Sequence, residues 1–144
     1  GVEVRPGLTR AFVYDLPDPV FESRLKVLAV VRLANVSIDF LKFGHGAMSF
    51  VAEDADHKAL ADALNATGFS FELEKDCCVV IVHAVNMQDE EGLVARIVGE
   101  VIASGEAVDH IGDMHDRLLF VTDSKTGASL VGKLEGTFWQ EAAH

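Results

Sequence analysis

The sequence predicts an α+β fold made of two interleaved βαββαβ units, each an antiparallel sheet with its helices on one face. Three observations carry this. The stretch Ser37–Leu64 returns as Ala107–Leu134 without a gap, an offset of about 70 residues, which is the size of a small domain and not of a solenoid unit. Asp39 meets Asp109, His45 meets His115, Phe50-Val51 meets Phe120-Val121, and Leu60 and Leu64 meet Leu130 and Leu134. Within each copy the apolar residues switch between the period of a strand and that of a helix. The first copy contains four strand segments, and the second is one short.

The elements follow in order. Val2–Val4 alternates, and Arg5-Pro6-Gly7 reads as a turn. Thr9–Tyr14 is rich in β-branched and aromatic residues, so it reads as a strand. Asp15-Leu16-Pro17-Asp18-Pro19 breaks it and offers an aspartate cap with proline in the first helical turn. A helix then spans Val20–Ala34, with Phe21, Leu25, Leu28 and Val31 on one face and a Glu22–Lys26 pair. Val27, Val30 and Val31 widen its apolar surface beyond what one sheet face needs, which predicts burial on both sides. Ile38–Phe43 and Ala47–Ala52 are strands joined at Gly44-His45-Gly46. Asp54 or Asp56 caps a second helix that carries Leu60 and Leu64 and stops before Gly68. Phe69, Phe71 and Leu73 alternate with polar residues, as in a half-buried strand.

The second copy repeats this order. Cys78–Val85 is nearly all apolar and reads as a central strand. Asn86–Asp89 forms a loop, Glu90–Ala103 a helix, and Val108–Gly112 and Leu118–Thr122 strands. Asp123 or Ser124 caps the last helix, which carries Leu130, Leu134 and Phe138. No strand follows it. Two helices on a four-stranded antiparallel sheet is the ferredoxin-like arrangement, so the missing strand must come from elsewhere, and the chain start is the spare. The expected units are therefore residues 8–75 and 76–144, the second completed by residues 2–6.

Composition limits the function. The chain has 144 residues, 49% of them hydrophobic and 24% charged, with a net charge of −11. Its basic residues are scattered, so nucleic acid and anionic membrane are not expected partners. No apolar run reaches the length of a membrane span and no signal peptide is visible. Cys77 and Cys78 are adjacent and cannot easily pair with each other, and no third cysteine exists. Buried, reduced thiols in a cytoplasmic protein are the expectation. There is no Walker A loop, no G-x-G-x-x-G and no kinase catalytic segment. Neither a catalytic residue nor a cofactor is expected. Asp109–Asp116 is dense in ligand types, but its spacing fits no zinc signature, so it reads as a solvated acidic hairpin without metal. His83, on an apolar strand, reads as a satisfied core or interface histidine.

Together the segments resemble the ACT domain family of small-molecule-binding regulatory modules, in particular the tandem pair at the C-terminal regulatory end of aspartate kinases. That subgroup typically reads Pro-Gly-Val-Ala-Ala-Arg/Lys-Ile where each first helix starts. This chain has Pro19-Val20-Phe21-Glu22-Ser23-Arg24-Leu25 and Glu91-Gly92-Leu93-Val94-Ala95-Arg96-Ile97. After the helix the family has Gly-Ile-Asn-Val-Asp-Met-Ile; this chain has Asn35-Val36-Ser37-Ile38-Asp39-Phe40-Leu41. The ending Leu134-Glu135-Gly136-Thr137-Phe138 resembles the family's closing helix.

The resemblance implies a non-catalytic module that binds an amino-acid effector at the strand–helix loops. By position, one site would use Asp15, Pro17, Asp18, Val20 and Ser37, and the other Asn86, Met87, Gln88, Asp89, Gly92 and Ala107. It also implies a homodimer through the ACT units and a catalytic kinase domain or subunit as partner. The copies are unequal: Pro19 lacks the family's following glycine, Gly92 lacks its proline, and Ala107 cannot make the hydrogen bond open to Ser37. At most one conventional site is expected. The alternative is a tandem dimerisation or interaction module that binds no ligand.

Overall fold

The computed structural model describes residues 2–83, 99, 110–114 and 117–132. Its elements are β1 (Val2–Tyr14), α1 (Val20–Leu33), β2 (Ile38–Gly44), β3 (Ala47–Glu53), a 3-10 turn (Asp54–Asp56), α2 (His57–Asn65), β4 (Ser70–His83), β5 (His110–Met114) and β6 (Arg117–Asp123). A helix over residues 124–132, here α3, follows. The expected loop Asn86–Asp89 and helix Glu90–Ala103 lie outside the described residues. The architecture is α+β with antiparallel ladders, as expected.

The chain forms two compact units, residues 7–76 and residues 1–6 with 77–144. In the first the strand order is β2-β3-β1-β4, and in the second β1-β4-β6-β5. β1 and β4 are therefore each divided between the units. Arg10 pairs with Glu74 inside the first unit. Inside the second, His83 Nε2 lies 3.1 Å from Glu3 Oε2. That hydrogen bond, then the one from Arg5, holds the Glu3 carboxyl below its ordinary value.

Two expected breaks are absent. Pro6-Gly7 does not end a strand; β1 continues through it, with Gly7 taking up φ 73°. The two strands expected either side of Asp76 are one strand of 14 residues, β4, with Asp76 itself at φ 56°. Turn-forming residues are here absorbed as local left-handed kinks within longer strands.

The core of unit 7–76 gathers Ala11, Val13, Leu16, Val27, Val31, Val36, Met48, Phe50, Ala52, Leu60 and Leu64. Met48, Phe50 and Ala52 are alternate residues of β3, so one face of the sheet supplies them. Burying each large side chain is worth about 1.5–3 kcal/mol. The buried side of α1 differs from the expected one: Ser23, Val27 and Val31 are inward, whereas Phe21 is 69% and Leu25 50% exposed. A helix apolar nearly all round gives periodicity little power to choose its face.

In the other unit, Cys77–Val82 is buried on both faces of β4, consistent with its place between β1 and β6. Both cysteines are buried and neither is in a disulfide. β6 pairs with β4 from Cys77↔Asp123 to His83↔Arg117 and with β5 from His110↔Val121 to Met114↔Arg117. Asp123 caps α3: its carboxylate accepts the Thr126 N–H at 2.7 Å and the Thr126 hydroxyl at 2.9 Å. The other two expected caps are not formed. Pro19 occupies the cap position of α1, and Asp56, at the cap position of α2, makes no capping bond with its side chain. Asp54 instead accepts the Thr9 hydroxyl at 2.7 Å.

Candidate functional site

The β1–α1 loop of unit 7–76 is set by three short contacts. The Leu16 N–H donates to Gly46 O at 2.9 Å, tying the loop to the β2–β3 hairpin. The Ser23 hydroxyl donates to Pro17 O at 2.7 Å, and the Ser23 N–H to Pro19 O at 3.2 Å. Leu16 is buried, which leaves Asp15, Pro17 and Asp18 on the exposed side and Val20 partly covered. Asp15 is left-handed at φ 49°, a conformation aspartate tolerates better than most residues.

This arrangement has two chemical poles. The first-turn N–H groups of α1 have no intrahelical acceptor, and Pro19 brings no capping side chain. The positive end of the helix dipole lies there too, so a carboxylate is favoured. Asp15 and Asp18, both exposed, lie in the loop that leads into this helix start, and a carboxylate suits an ammonium.

Arg24, one turn into α1, was not among the expected site residues. Its Nη2 donates to Gly44 O at 2.7 Å and to Ala47 O at 3.4 Å. Its guanidinium lies 4.6 Å from the centre of the Phe43 ring. The Nε is buried without a hydrogen-bond partner. Arg24 thus fastens the helix start to the hairpin that also receives Leu16. Its signals in the sequence are the basic residue five places after Pro19, where the motif of the resembled family has Arg or Lys, and a glycine-rich turn opposite.

The structure does not bring Ser37 to this loop within the unit. Ile38 is level with Ala52, and Ala52 with Thr9. At the other end Phe43 is level with Met48, and Met48 with Val13. Ser37 therefore lies at the far end of the sheet, about 20 Å from Asp15 at roughly 3.4 Å per residue. Asn86, Met87, Gln88, Asp89, Gly92 and Ala107 lie outside the described residues. Among the described residues no group of three metal-ligating side chains comes together, and no helix is long and apolar enough to cross a membrane.

The geometry defines a two-unit, ferredoxin-like α+β module with an open strand–helix loop. No protein-family model matches the chain, and no curated protein matches it significantly. Solved structures do match. A structure of aspartokinase alpha and beta subunits aligns at TM-score 0.82 and 21% identity, over 96% of this chain and 97% of that one. The ligand-free regulatory subunit of aspartate kinase from Thermus thermophilus aligns at TM-score 0.79 and 16% identity, over 96% and 97%. E. coli aspartokinase III in complex with lysine and aspartate, in its T-state, aligns at TM-score 0.71 and 14% identity, over 95% of this chain and 32% of that one. The fold is that of aspartate kinase regulatory regions. The Thermus match covers nearly the whole of a regulatory subunit, and not a catalytic part.

Proposed function

We propose that this chain is a non-catalytic regulatory module of two interleaved ACT units, residues 8–75 and 76–144 with 2–6, that binds a free amino acid and passes its occupancy to a kinase domain or subunit. The carrying observation is the β1–α1 loop, where an uncapped helix start and two exposed aspartates stand together. The likeness to aspartate kinase regulatory subunits supports the same reading, as does the lysine held by the E. coli neighbour. Occupancy can act only through unequal affinity for two arrangements of the module. A cytoplasmic location and a homodimer belong to the proposal. Because Ser37 lies at the opposite end of the sheet from Asp15, one ligand cannot touch both within this unit.

A thermal-shift screen of the standard amino acids tests this. A ligand at a hundred times its Kd adds about 2.7 kcal/mol, or roughly 5–10 °C in Tm for a chain this size. If none of them at millimolar concentration moves the Tm, the effector reading fails. The exposed apolar side chains Phe21, Leu25, Leu41 and Phe43 favour the second reading, an interaction module without ligand. A dimer that persists without any stabilising amino acid would select it.

A further inference from the structure

Both long strands carry a left-handed residue where they pass from one unit to the other. Gly7, at φ 73°, is the first residue of unit 7–76 on β1, and Asp76, at φ 56°, is its last on β4. Such a residue turns its peptide away from the regular ladder, and aspartate, although it tolerates the conformation better than most residues, still favours others.

Asp54 supplies part of that hold. Its carboxylate accepts the Asp76 N–H on both oxygens, at 3.3 Å and 3.4 Å. The same carboxylate accepts the Thr9 hydroxyl at 2.7 Å. A hydroxyl has one proton, and the short contact assigns it to Asp54. His57 Nδ1, 3.2 Å from the Thr9 oxygen, is then the donor in that pair. Thr9 is fully buried, so a hydroxyl left without its acceptor would be costly. One carboxylate in the turn that opens α2 thus reaches β1 two residues after Gly7 and β4 at Asp76. The same group makes no helix cap, which is the role its position suggests.

We propose that Asp54 is a clasp that locks the two boundary bends together, so that neither strand flexes at its left-handed residue independently of the other. The side chain is a conformational control point within the long strands, not a ligand contact.

Native-state hydrogen exchange on the full chain tests this. In Asp54→Ala, the amides of Gly7, Leu8, Cys77 and Cys78 should lose protection about tenfold or more through local opening. Amides of Leu60, Leu64, Val80 and Ile81 should follow only the change in global stability. Thr9→Val keeps the shape and removes the hydroxyl, and it should loosen Gly7 and Leu8 in the same way. It also serves as the decisive variant if Asp54→Ala does not fold. Boundary protection that is unchanged, or that falls uniformly with the rest of the chain, would overturn the clasp.

Discussion

Gly127→Ala isolates one close approach and gives an effect whose sign depends on its neighbour. A Cβ at Gly127 would lie 2.3 Å from Cys78 Sγ, with Val80 Cγ2 at 3.6 Å and Thr122 Cγ2 at 3.7 Å. Favourable contact between heavy atoms begins near 3.5 Å, so the overlap with sulfur exceeds roughly 1 Å. Cys78 is 2% exposed, so turning its Sγ aside would press it into packed neighbours and break its contact with Asp123 O at 3.7 Å. Overpacking of this kind costs about 1–3 kcal/mol. Residue 127 is also inside α3, where alanine in place of glycine returns about 0.8–1.0 kcal/mol. The expected net effect is a loss of up to about 2 kcal/mol.

In a Cys78→Ala background the sulfur is gone and the added methyl enters the space it leaves. Only the helix gain remains, so the same substitution should stabilise by up to about 1 kcal/mol. Urea unfolding of the wild type, both single variants and the double variant, followed by circular dichroism, gives the coupling energy. An equal effect of Gly127→Ala in both backgrounds would refute the contact.

Leu64→Ala should cost about 2–5 kcal/mol by opening a cavity in the core of unit 7–76, read from the same unfolding curves. Asp15→Asn with Asp18→Asn should remove most of any amino-acid-induced rise in Tm while leaving the ligand-free Tm nearly unchanged, since both side chains are exposed; an undiminished rise would place the ammonium elsewhere. Glu3 is held below the ordinary 4.5 of a glutamate, by His83 first and Arg5 second. Its stabilisation is therefore present above that value and lost as pH falls through the lowered one, and Glu3→Gln should flatten that part of the stability–pH curve. Phe21→Asp with Leu25→Asp should convert a dimer to monomer by light scattering if α1's exposed face is an interface, with little effect on the fold of the monomer.

Much of the fold could be read directly because strand and helix periods alternate cleanly. Phe69, Phe71 and Leu73 alternate as a strand should, and the apolar run after Asp76 marks a strand buried on both sides. Other features depend on choices that a one-dimensional pattern does not record. The buried face of α1 is decided by Val27 and Val31 fitting beneath it, although Phe21 and Leu25 are larger. Asp54 looks like a helix cap until the buried Thr9 hydroxyl, 45 residues away, competes for its carboxylate. Arg5-Pro6-Gly7 reads as a turn, and Leu73 and Cys78 read as the end and start of separate strands, yet β1 and β4 each run through as one strand. The loop Asp15–Val20 was legible because prolines and aspartates punctuate it. The distance of Ser37 from that loop emerges only from the register of three strands.

The division of β1 between the units has a consequence for synthesis. Unit 7–76 is contiguous, so all of its strands exist once residue 76 has been made. The other unit needs residues 2–6 at one end of the chain and the β6 hairpin far downstream. Its first strand must wait, already anchored to a finished neighbour, while its partners are still being translated. That long-range closure is the slow step expected of high-contact-order pairing.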